Sequence, residues 1–251
     1  MFMRFVQLKI KPDSSQAFER FYHYRSLKAL LAVDGCLFAH LIQSDKSESD
    51  FISFSVWTSH DAAEEYEASG YYEELVTELD PFTEDSTEWK IRLNEDMTLD
   101  YAPVKEKPTV QGMPIVAGTK DDDATKKIGD DPYVRILSLK VDPAHFAEFQ
   151  QLYDEVTTPQ ILQVEGCRAA FLIGTDTGDG EAVSVTIWDN KNYADTYEQS
   201  GRFNELFSIL RPHLSSLYQW KMTLDSRHQA RTHSSDDVSI VGYHTVAGVE
   251  V

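Results

Sequence analysis

Two tyrosines at matched places in the sequence are the first candidates for chemistry. Tyr66 and Tyr197 lie 131 residues apart, and each follows a tryptophan, Trp57 or Trp188, by nine residues. A phenol can donate a hydrogen bond to a substrate oxygen or accept one, and a tryptophan can form the wall of an aromatic pocket. Both residue types also fill protein cores, the tyrosine with its hydroxyl satisfied. The pattern therefore indicates either two substrate-binding aromatic pairs or two matched pieces of core.

Two further candidates occur in one half of the sequence only. His40 lies in a predicted strand, on the same face as Cys36 and Phe38, and is the natural base if that strand lines a pocket. Its counterpart in the second half is Phe171. Arg168, whose counterpart is a leucine, could orient an anionic substrate or extend to solvent. Because neither group recurs, each indicates one working site, or a buried or surface side chain without a chemical role.

The elements that hold these residues are themselves duplicated. An ungapped shift of 131 positions aligns the chain with itself, giving 28 identities over the 90 positions that begin at Arg4. One repetition at so long a period indicates a duplicated domain and not a solenoid. Matched pairs include Arg4 with Arg135, Pro12 with Pro143, Gly35 with Gly166, Cys36 with Cys167, Trp57 with Trp188, Glu67 with Glu198, Pro81 with Pro212 and Trp89 with Trp220.

Each unit is predicted as strand, helix, strand, strand, helix, strand. Ser59 and Asn190 stand where the second helix of each unit needs a cap. A Ser-Gly pair, ending at Gly70 or Gly201, predicts a break inside that helix. A last strand is expected around Trp89 in the first unit, and around its counterpart in the second.

The predicted boundaries include a tail after each unit. The first unit covers 1–94, and 95–131 is a connector that contains its C-terminal extension. The second unit covers 132–225, and 226–251 is its extension. The extensions are predicted because Val116-Ala117-Gly118 is echoed by Val246-Ala247-Gly248.

The second unit can cover a face that the first leaves open. The strand that ends at Trp57 carries bulky apolar groups on both faces, although both helices of a unit lie on one side of its sheet. Each unit also has a glycine that opens the second strand, a tryptophan that closes the third and a helix reading Tyr-Glu-x-Ser-Gly. In these features the chain resembles the antibiotic biosynthesis monooxygenase family over about 180 of its 251 residues.

The resemblance implies an α+β fold, in which two ferredoxin-like βαββαβ repeats form a dimeric α+β barrel within one chain. A single chain then suffices as a pseudo-dimer, and further association of chains is left open. It also implies a monooxygenase that needs no metal, flavin or other cofactor and acts on a quinol or polyketide-like aromatic with O2. Such chemistry needs an apolar cavity, a base and groups that stabilise an anion. We expect the site between each sheet and its helices, with Tyr66 and Tyr197 where some family members place an active-site aromatic.

Two alternatives remain. The haem-degrading branch of the family holds haem through a histidine late in the second helix, but that position falls near Val76 and Phe207, which cannot ligate iron. The other alternative is a barrel that binds a small hydrophobic molecule without catalysis. Hydrolase, nucleotide-binding and metalloenzyme functions have no matching motif in the sequence.

Composition restricts the partners. The net charge of −19 argues against nucleic acid and anionic membranes, because an acidic surface repels both. No apolar run is long enough for a membrane span and the start lacks a signal-peptide pattern, so we expect a cytoplasmic protein. The two cysteines have no disulfide framework or metal-type spacing.

Overall fold

The structure, a computed structural model, describes residues 1–93, 99–105, 108–119, 128–129, 131–174, 180–216 and 240–249. The first half contains strands β1 (Phe2–Lys9), β2 (Cys36–Ser44) and β3 (Asp50–Trp57) and helices α1 (Ser15–Phe21), α2 (Leu27–Leu31), α3 (His60–Ala68) and α4 (Tyr71–Leu79). Between the halves lie β4 (Asp85–Leu93), β5 (Leu99–Lys105) and β6 (Thr109–Gly118). The second half contains β7 (Tyr133–Lys140), β8 (Cys167–Gly174), β9 (Glu181–Trp188), α5 (Phe146–Leu152), α6 (Thr158–Ile161), α7 (Lys191–Gln199) and α8 (Arg202–Leu210), followed by β10 (Ile240–Val249).

Eight of these strands form one closed barrel. Their order is β1-β3-β2-β10-β7-β9-β8-β6, and every pairing is antiparallel. Each half supplies a three-stranded sheet, and the helices cover the outside. The fold prediction is confirmed: two ferredoxin-like halves form an α+β barrel within one chain.

The strands that follow each repeat close the barrel. β6 pairs with β1 of the first half and with β8 of the second. β10 pairs with β7 of its own half and with β2 of the other. The echoed Val-Ala-Gly segments lie at the ends of these two strands, next to a register shift in each. The repeated tripeptide therefore marks the point at which each closing strand meets the opposite half.

The strand around Trp89 was expected to be the fourth strand of the first unit, but it does not join the sheet of that unit. It is β4, which pairs with β5 in a separate two-stranded sheet. The edge of β1 is occupied by β6, with Phe2 opposite Pro114 and Gln7 opposite Thr109. Propensity identifies a strand but not its partner, because pairing is decided by contacts distant in sequence. The corresponding strand around Trp220 lies outside the described residues, and the unit boundaries at 94, 131 and 225 remain a prediction.

Strand alternation separates three cores. In β3, Phe54 and Val56 point into the barrel, whereas Phe51 and Trp57 point towards the helices of the first half. The barrel interior combines apolar side chains from both halves, including Met3. The second half has its own core between sheet and helices. Each sheet is thus apolar on both faces, as the sequence predicts.

The two halves also share an irregular first helix. A π-helical segment separates α1 from α2 at Tyr22–Ser26, and another separates α5 from α6 at Tyr153–Thr157. Short 3₁₀ turns occur at Pro12–Ser14, Pro143–His145 and Arg211–His213. None of the helices among the described residues is long and apolar enough to cross a membrane.

The predicted caps and breaks position the second helical pair. The Ser59 hydroxyl accepts a hydrogen bond from the Ala62 amide, and the Asn190 side chain accepts from the amides of Asn192 and Tyr193. Gly70 lies between α3 and α4 with a φ of 81°, and Gly201 lies between α7 and α8 with a φ of 82°. Both the cap and the break predictions are confirmed, and they fix where Tyr66 and Tyr197 lie on their helices.

Substituting Gly118 should weaken the barrel more than substituting Gly70. Both have positive φ, but a methyl group on Gly118 would overlap the Ala170 carbonyl oxygen, whereas nothing lies within 4 Å of one on Gly70. Gly70→Ala should cost roughly 1–2 kcal/mol of unfolding free energy, from backbone conformation alone. Gly118→Ala should cost more, because it adds a clash at the barrel seam. Urea denaturation measures both, and equal losses would contradict this account of the seam.

Candidate functional site

Two equivalent cavities lie between the sheets and their helices. The first is lined by Arg4, Tyr66 and Tyr72 among others, and the second by Arg135, Tyr197 and their neighbours. Each has a volume of about 30 Å³. A water molecule needs roughly 10–15 Å³ by this measure, so each cavity has room for one or two waters. A larger ligand would require the side chains or helices that line the cavity to shift.

A buried arginine dominates the first cavity. Arg4 is 3% exposed, and its Nε donates to Oε1 of Glu67 at 3.0 Å. Its Nη2 lies 2.9 Å from the same oxygen but is not directed at it, so it completes no hydrogen bond there. The guanidinium carbon lies 5.4 Å from the ring centre of Tyr66 and 4.6 Å from that of Tyr72. A cation held against two aromatic rings favours an anion beside it.

Tyr66 stands between this cation and Trp57. The rings of Trp57 and Tyr66 are 5.6 Å apart, and the indole Nε1 donates to the Ser55 hydroxyl at 2.9 Å. Burial raises the pKa of Tyr66 to about 12, with Arg4 acting in the opposite direction. The phenol therefore keeps its proton at neutral pH. It can donate a hydrogen bond to a substrate oxygen, but it is not a base.

The second half repeats this arrangement. Arg135 Nη2 donates to Glu198 Oε2 at 3.1 Å, and its guanidinium carbon lies 5.6 Å from the Tyr197 ring centre. The rings of Trp188 and Tyr197 are 5.1 Å apart. Burial raises the pKa of Tyr197 above its ordinary value, with Arg135 opposing. The structure thus brings each predicted tyrosine together with its predicted tryptophan.

A second tyrosine anchors the irregular helix of each half. The hydroxyl of Tyr22 lies 2.7 Å from that of Ser53, and the hydroxyl of Tyr153 lies 2.8 Å from that of Ser184. Burial raises the pKa of both phenols. These buried pairs join the π-helical segments to the sheet, and they support the cavity walls.

His40 lies on the opposite face of the sheet from Tyr66. Its ring stacks on Phe38 at 4.3 Å, inside the barrel, and it is 1% exposed. Neither ring nitrogen has a hydrogen-bond partner among the described residues. The prediction that His40 shares a face with Cys36 is wrong, because a register shift between Cys36 and Phe38 turns Cys36 towards the helices. His40 is therefore not brought to the cavity of Tyr66.

Arg168 is not brought to the second cavity either. Its side chain is 42% exposed and forms a two-point ion pair with Asp189 at the surface. This placement fits the alternative in which Arg168 extends to solvent and does not orient a substrate. The two cysteines are buried, and burial raises the pKa of each thiol to about 12, which keeps both protonated.

Sequence reasoning missed the arginines as site residues. Arg4 and Arg135 stand out in the sequence only as a matched pair of the duplication. The available signal was a recurring charge inside an otherwise apolar strand, because a buried cation is costly unless it has partners or a function. Their carboxylate partners, Glu67 and Glu198, follow the two predicted tyrosines directly.

Neither cavity offers a haem ligand at the helix position where one is expected. Val76 lines the first cavity and Phe207 is buried beside the second, so the helix position at which a haem ligand is expected offers no ligand atom in either half. Among the described residues, one group could hold a metal ion: His60, Asp61 and Glu64, all exposed at the start of α3. These side chains lie on the surface, away from the cavity lining.

The protein is an α+β barrel with a small cavity between sheet and helices in each half. The model of the antibiotic biosynthesis monooxygenase family matches residues 1–78 and 132–207. These two segments make up more than half of the chain, which therefore belongs to the antibiotic biosynthesis monooxygenase family, with two such segments in tandem.

Solved structures agree on the fold. A provisionally assigned monooxygenase from Lactobacillus acidophilus NCFM superposes with a TM-score of 0.64 at 12% identity, covering 100% of this chain and 98% of its own. Another from Fusobacterium nucleatum subsp. nucleatum has a TM-score of 0.64 at 6% identity, covering 100% and 96%. An anthrone oxidase-like protein has a TM-score of 0.56 at 11% identity, covering 99% and 92%. No curated protein matches the sequence.

Replacing His40 should remove one source of acid sensitivity. Burial lowers the pKa of His40 from its ordinary value of 6.5 to about 4. Between these values the unfolded chain binds a proton that the folded chain does not, so the contribution is fully present above pH 6.5 and is lost as the pH falls towards 4. The loss between pH 7 and pH 5 should be roughly 2 kcal/mol.

The variant His40→Phe places in the first half the residue that the second half has at Phe171. Its free energy of unfolding, measured by urea denaturation at several pH values, should fall less than that of the wild type on acidification. Comparing the two proteins at each pH cancels the contribution of the carboxylates. Parallel pH profiles would show that His40 titrates normally in the fold.

Proposed function

We propose that this protein is a cofactor-independent monooxygenase, which oxidises a quinol or polyketide-like aromatic with O2 in a cavity between sheet and helices. The observation that carries the proposal is a buried arginine beside a protonated tyrosine and an aromatic wall. This set is suited to a flat, electron-rich substrate whose oxygen becomes anionic. Family membership supports the reaction type, and the anthrone oxidase-like structure supports the fold.

The reaction balances without an external reductant. A ring or benzylic carbon of the substrate reacts with O2 and becomes a carbonyl. One oxygen atom enters the substrate, and the other leaves as water with two hydrogens taken from the substrate. The electrons come from the substrate itself, so its reactive form is the anion. The protein must therefore lower the pKa of the substrate hydroxyl and hold the anion away from bulk water.

The arginine and tyrosine perform these tasks in the proposal. The guanidinium of Arg4 or Arg135 favours the ionised substrate oxygen by direct charge attraction. The phenol of Tyr66 or Tyr197 donates a hydrogen bond to the same oxygen. Because His40 faces the barrel interior, the candidate proton acceptor becomes Glu67, or Glu198 in the second half, whose carboxylate adjoins the arginine.

The tryptophans lie behind the two tyrosines and do not line either cavity. Trp57 and Trp188 are completely buried, and each indole nitrogen already has a partner. In the proposal they hold the rings of Tyr66 and Tyr197 in place and do not touch the substrate. Binding pockets commonly have volumes of roughly 300–1,000 Å³, so the cavity must widen on binding.

A second candidate function needs no free base, and the carboxylates of Glu67 and Glu198 are both already hydrogen-bonded by an arginine. A barrel that binds a small hydrophobic molecule without turning it over needs the same apolar walls and arginine, but no proton acceptor. A ligand that is bound without turnover would still place an oxygen atom next to the guanidinium.

Oxygen consumption distinguishes the two functions. Purified, metal-free protein is mixed with a panel of quinols and anthrone-like phenols, and the uptake of O2 is recorded. A parallel titration follows the absorption spectrum of added haem. Uptake that depends on the protein, with no cofactor added, supports the monooxygenase. Substrate binding without uptake favours the binding function, and a haem shift without uptake would favour haem degradation.

Removing both phenol hydroxyls should slow the reaction. The double variant Tyr66→Phe, Tyr197→Phe keeps the rings but loses one hydrogen bond to a charged oxygen in each cavity. We expect kcat to fall by about 10- to 100-fold. Tyr24→Phe is the matched control, because Tyr24 is 64% exposed at the surface. The far-UV spectrum and urea midpoint should match the wild type, and an unchanged rate would remove both tyrosines from the mechanism.

A further inference from the structure

The two cavities differ at one matched position. Tyr72 lies beside Arg4 in the first cavity, and its counterpart in the second is Phe203. Tyr72 packs its ring against that of Tyr66 at 6.4 Å, and its phenol interacts with Arg4. Phe203 stacks on Phe207 at 5.5 Å and brings no hydroxyl. Both cavities have a volume of about 30 Å³, and this matched position gives them a different chemistry.

The arginines differ as well. Arg135 Nη2 donates a well-directed hydrogen bond to Glu198 at 3.1 Å. Arg4 Nη2 is buried and has no hydrogen-bond partner among the described residues, although it lies close to Glu67. Glu67 already compensates the charge of Arg4 at 2.9 Å, and the anionic oxygen of a ligand would give Nη2 a well-directed hydrogen-bond acceptor as well. The first cavity therefore offers a ligand a hydrogen bond from Arg4 Nη2.

The two cavities also differ in how far their surrounding residues are exposed to solvent. The side chain of Glu67 is 47% exposed, whereas that of Glu198 is 27% exposed. Tyr72 is half-buried, whereas Phe203 is 7% exposed. The outer wall of the first cavity is therefore more open to solvent. In the second, Phe203 and Phe207 cover the corresponding place with apolar packing.

We infer that the first half alone carries the working site, where Arg4 Nη2 binds the anionic oxygen of an aromatic substrate between the phenols of Tyr66 and Tyr72. The second cavity supports the barrel and takes no substrate. This inference rests on the site of the proposed function, but it concerns the number of sites and the group that selects between them. Tyr72 is accordingly a substrate-binding residue without a counterpart.

Calorimetric titration with 1,8-dihydroxyanthrone under anaerobic conditions tests the inference. Exclusion of O2 prevents turnover, so binding is measured whether or not the protein is an oxygenase. The wild type should bind one molecule per chain. Tyr72→Phe should raise Kd by about tenfold through the loss of one hydrogen bond near a charged group. Tyr71→Phe is the matched control, since Tyr71 precedes Tyr72 in α4 and is 43% exposed.

Each result has a defined meaning. One molecule per chain, with weaker binding in Tyr72→Phe and none of that loss in Tyr71→Phe, supports the inference. Two molecules per chain, no binding, or one molecule with an unchanged Kd in Tyr72→Phe would overturn it. Urea midpoints establish that the variants are folded. Two sites together with oxygen uptake would leave the proposed monooxygenase intact, whereas one site without uptake would leave the single site intact and remove the monooxygenase.

Discussion

The requirement to cover two apolar inner sheet faces governs the whole structure. Helices shield the outer face of each three-stranded sheet, but the side chains of Met3, Phe54, Phe171 and Ile187 project from the other face and need a partner. Packing the two sheets against each other supplies it, and β6 and β10 then pair across both seams. Since a closed barrel has no free edges, the same strands that join the halves also satisfy their backbone hydrogen bonds. Duplication within one chain keeps the two sheets at a high effective concentration.

The proposed chemistry depends on barrel closure indirectly, because closure fixes the strands that carry the two arginines. Arg4 and Arg135 extend from strands that are held on both sides, so the cations lie in fixed positions under the second helical pair. A rigid sheet is a suitable base for a charged group whose direction matters. The opposing wall includes a pair of short helices with a glycine break between them, and the side chains or helices that line the cavity must shift to admit a larger ligand. A fixed charge and an adjustable wall are therefore combined in each half.

Duplication allows the two halves to differ while the barrel keeps its shape. The matched arginine, tyrosine, tryptophan and glutamate are present twice, and they preserve the packing of each half. Differences occur beside them, at Tyr72 and Phe203 and at Val76 and Phe207. They also occur inside the barrel, where His40 takes the place of Phe171. Substitutions that retain ring or chain volume are tolerated in a packed core, so one copy is free to lose polar groups without loss of the fold.

The sequence by itself determined the duplication, the α+β class, the helix caps at Ser59 and Asn190 and the recurrence of Tyr66 and Trp57 as Tyr197 and Trp188. The duplication follows from comparing the chain with itself at an offset of 131 residues, and the caps follow from residue types next to each helix, so the chain encodes these features directly. Only the tertiary structure decided that β6, and not the strand around Trp89, completes the first sheet, because strand pairing depends on contacts distant in sequence. It also decided the face of His40, since one bulge reverses the alternation that a sequence pattern assumes. The partners of Arg4 were beyond the sequence for the same reason: Glu67 lies 63 residues away, and the fold alone brings the two together.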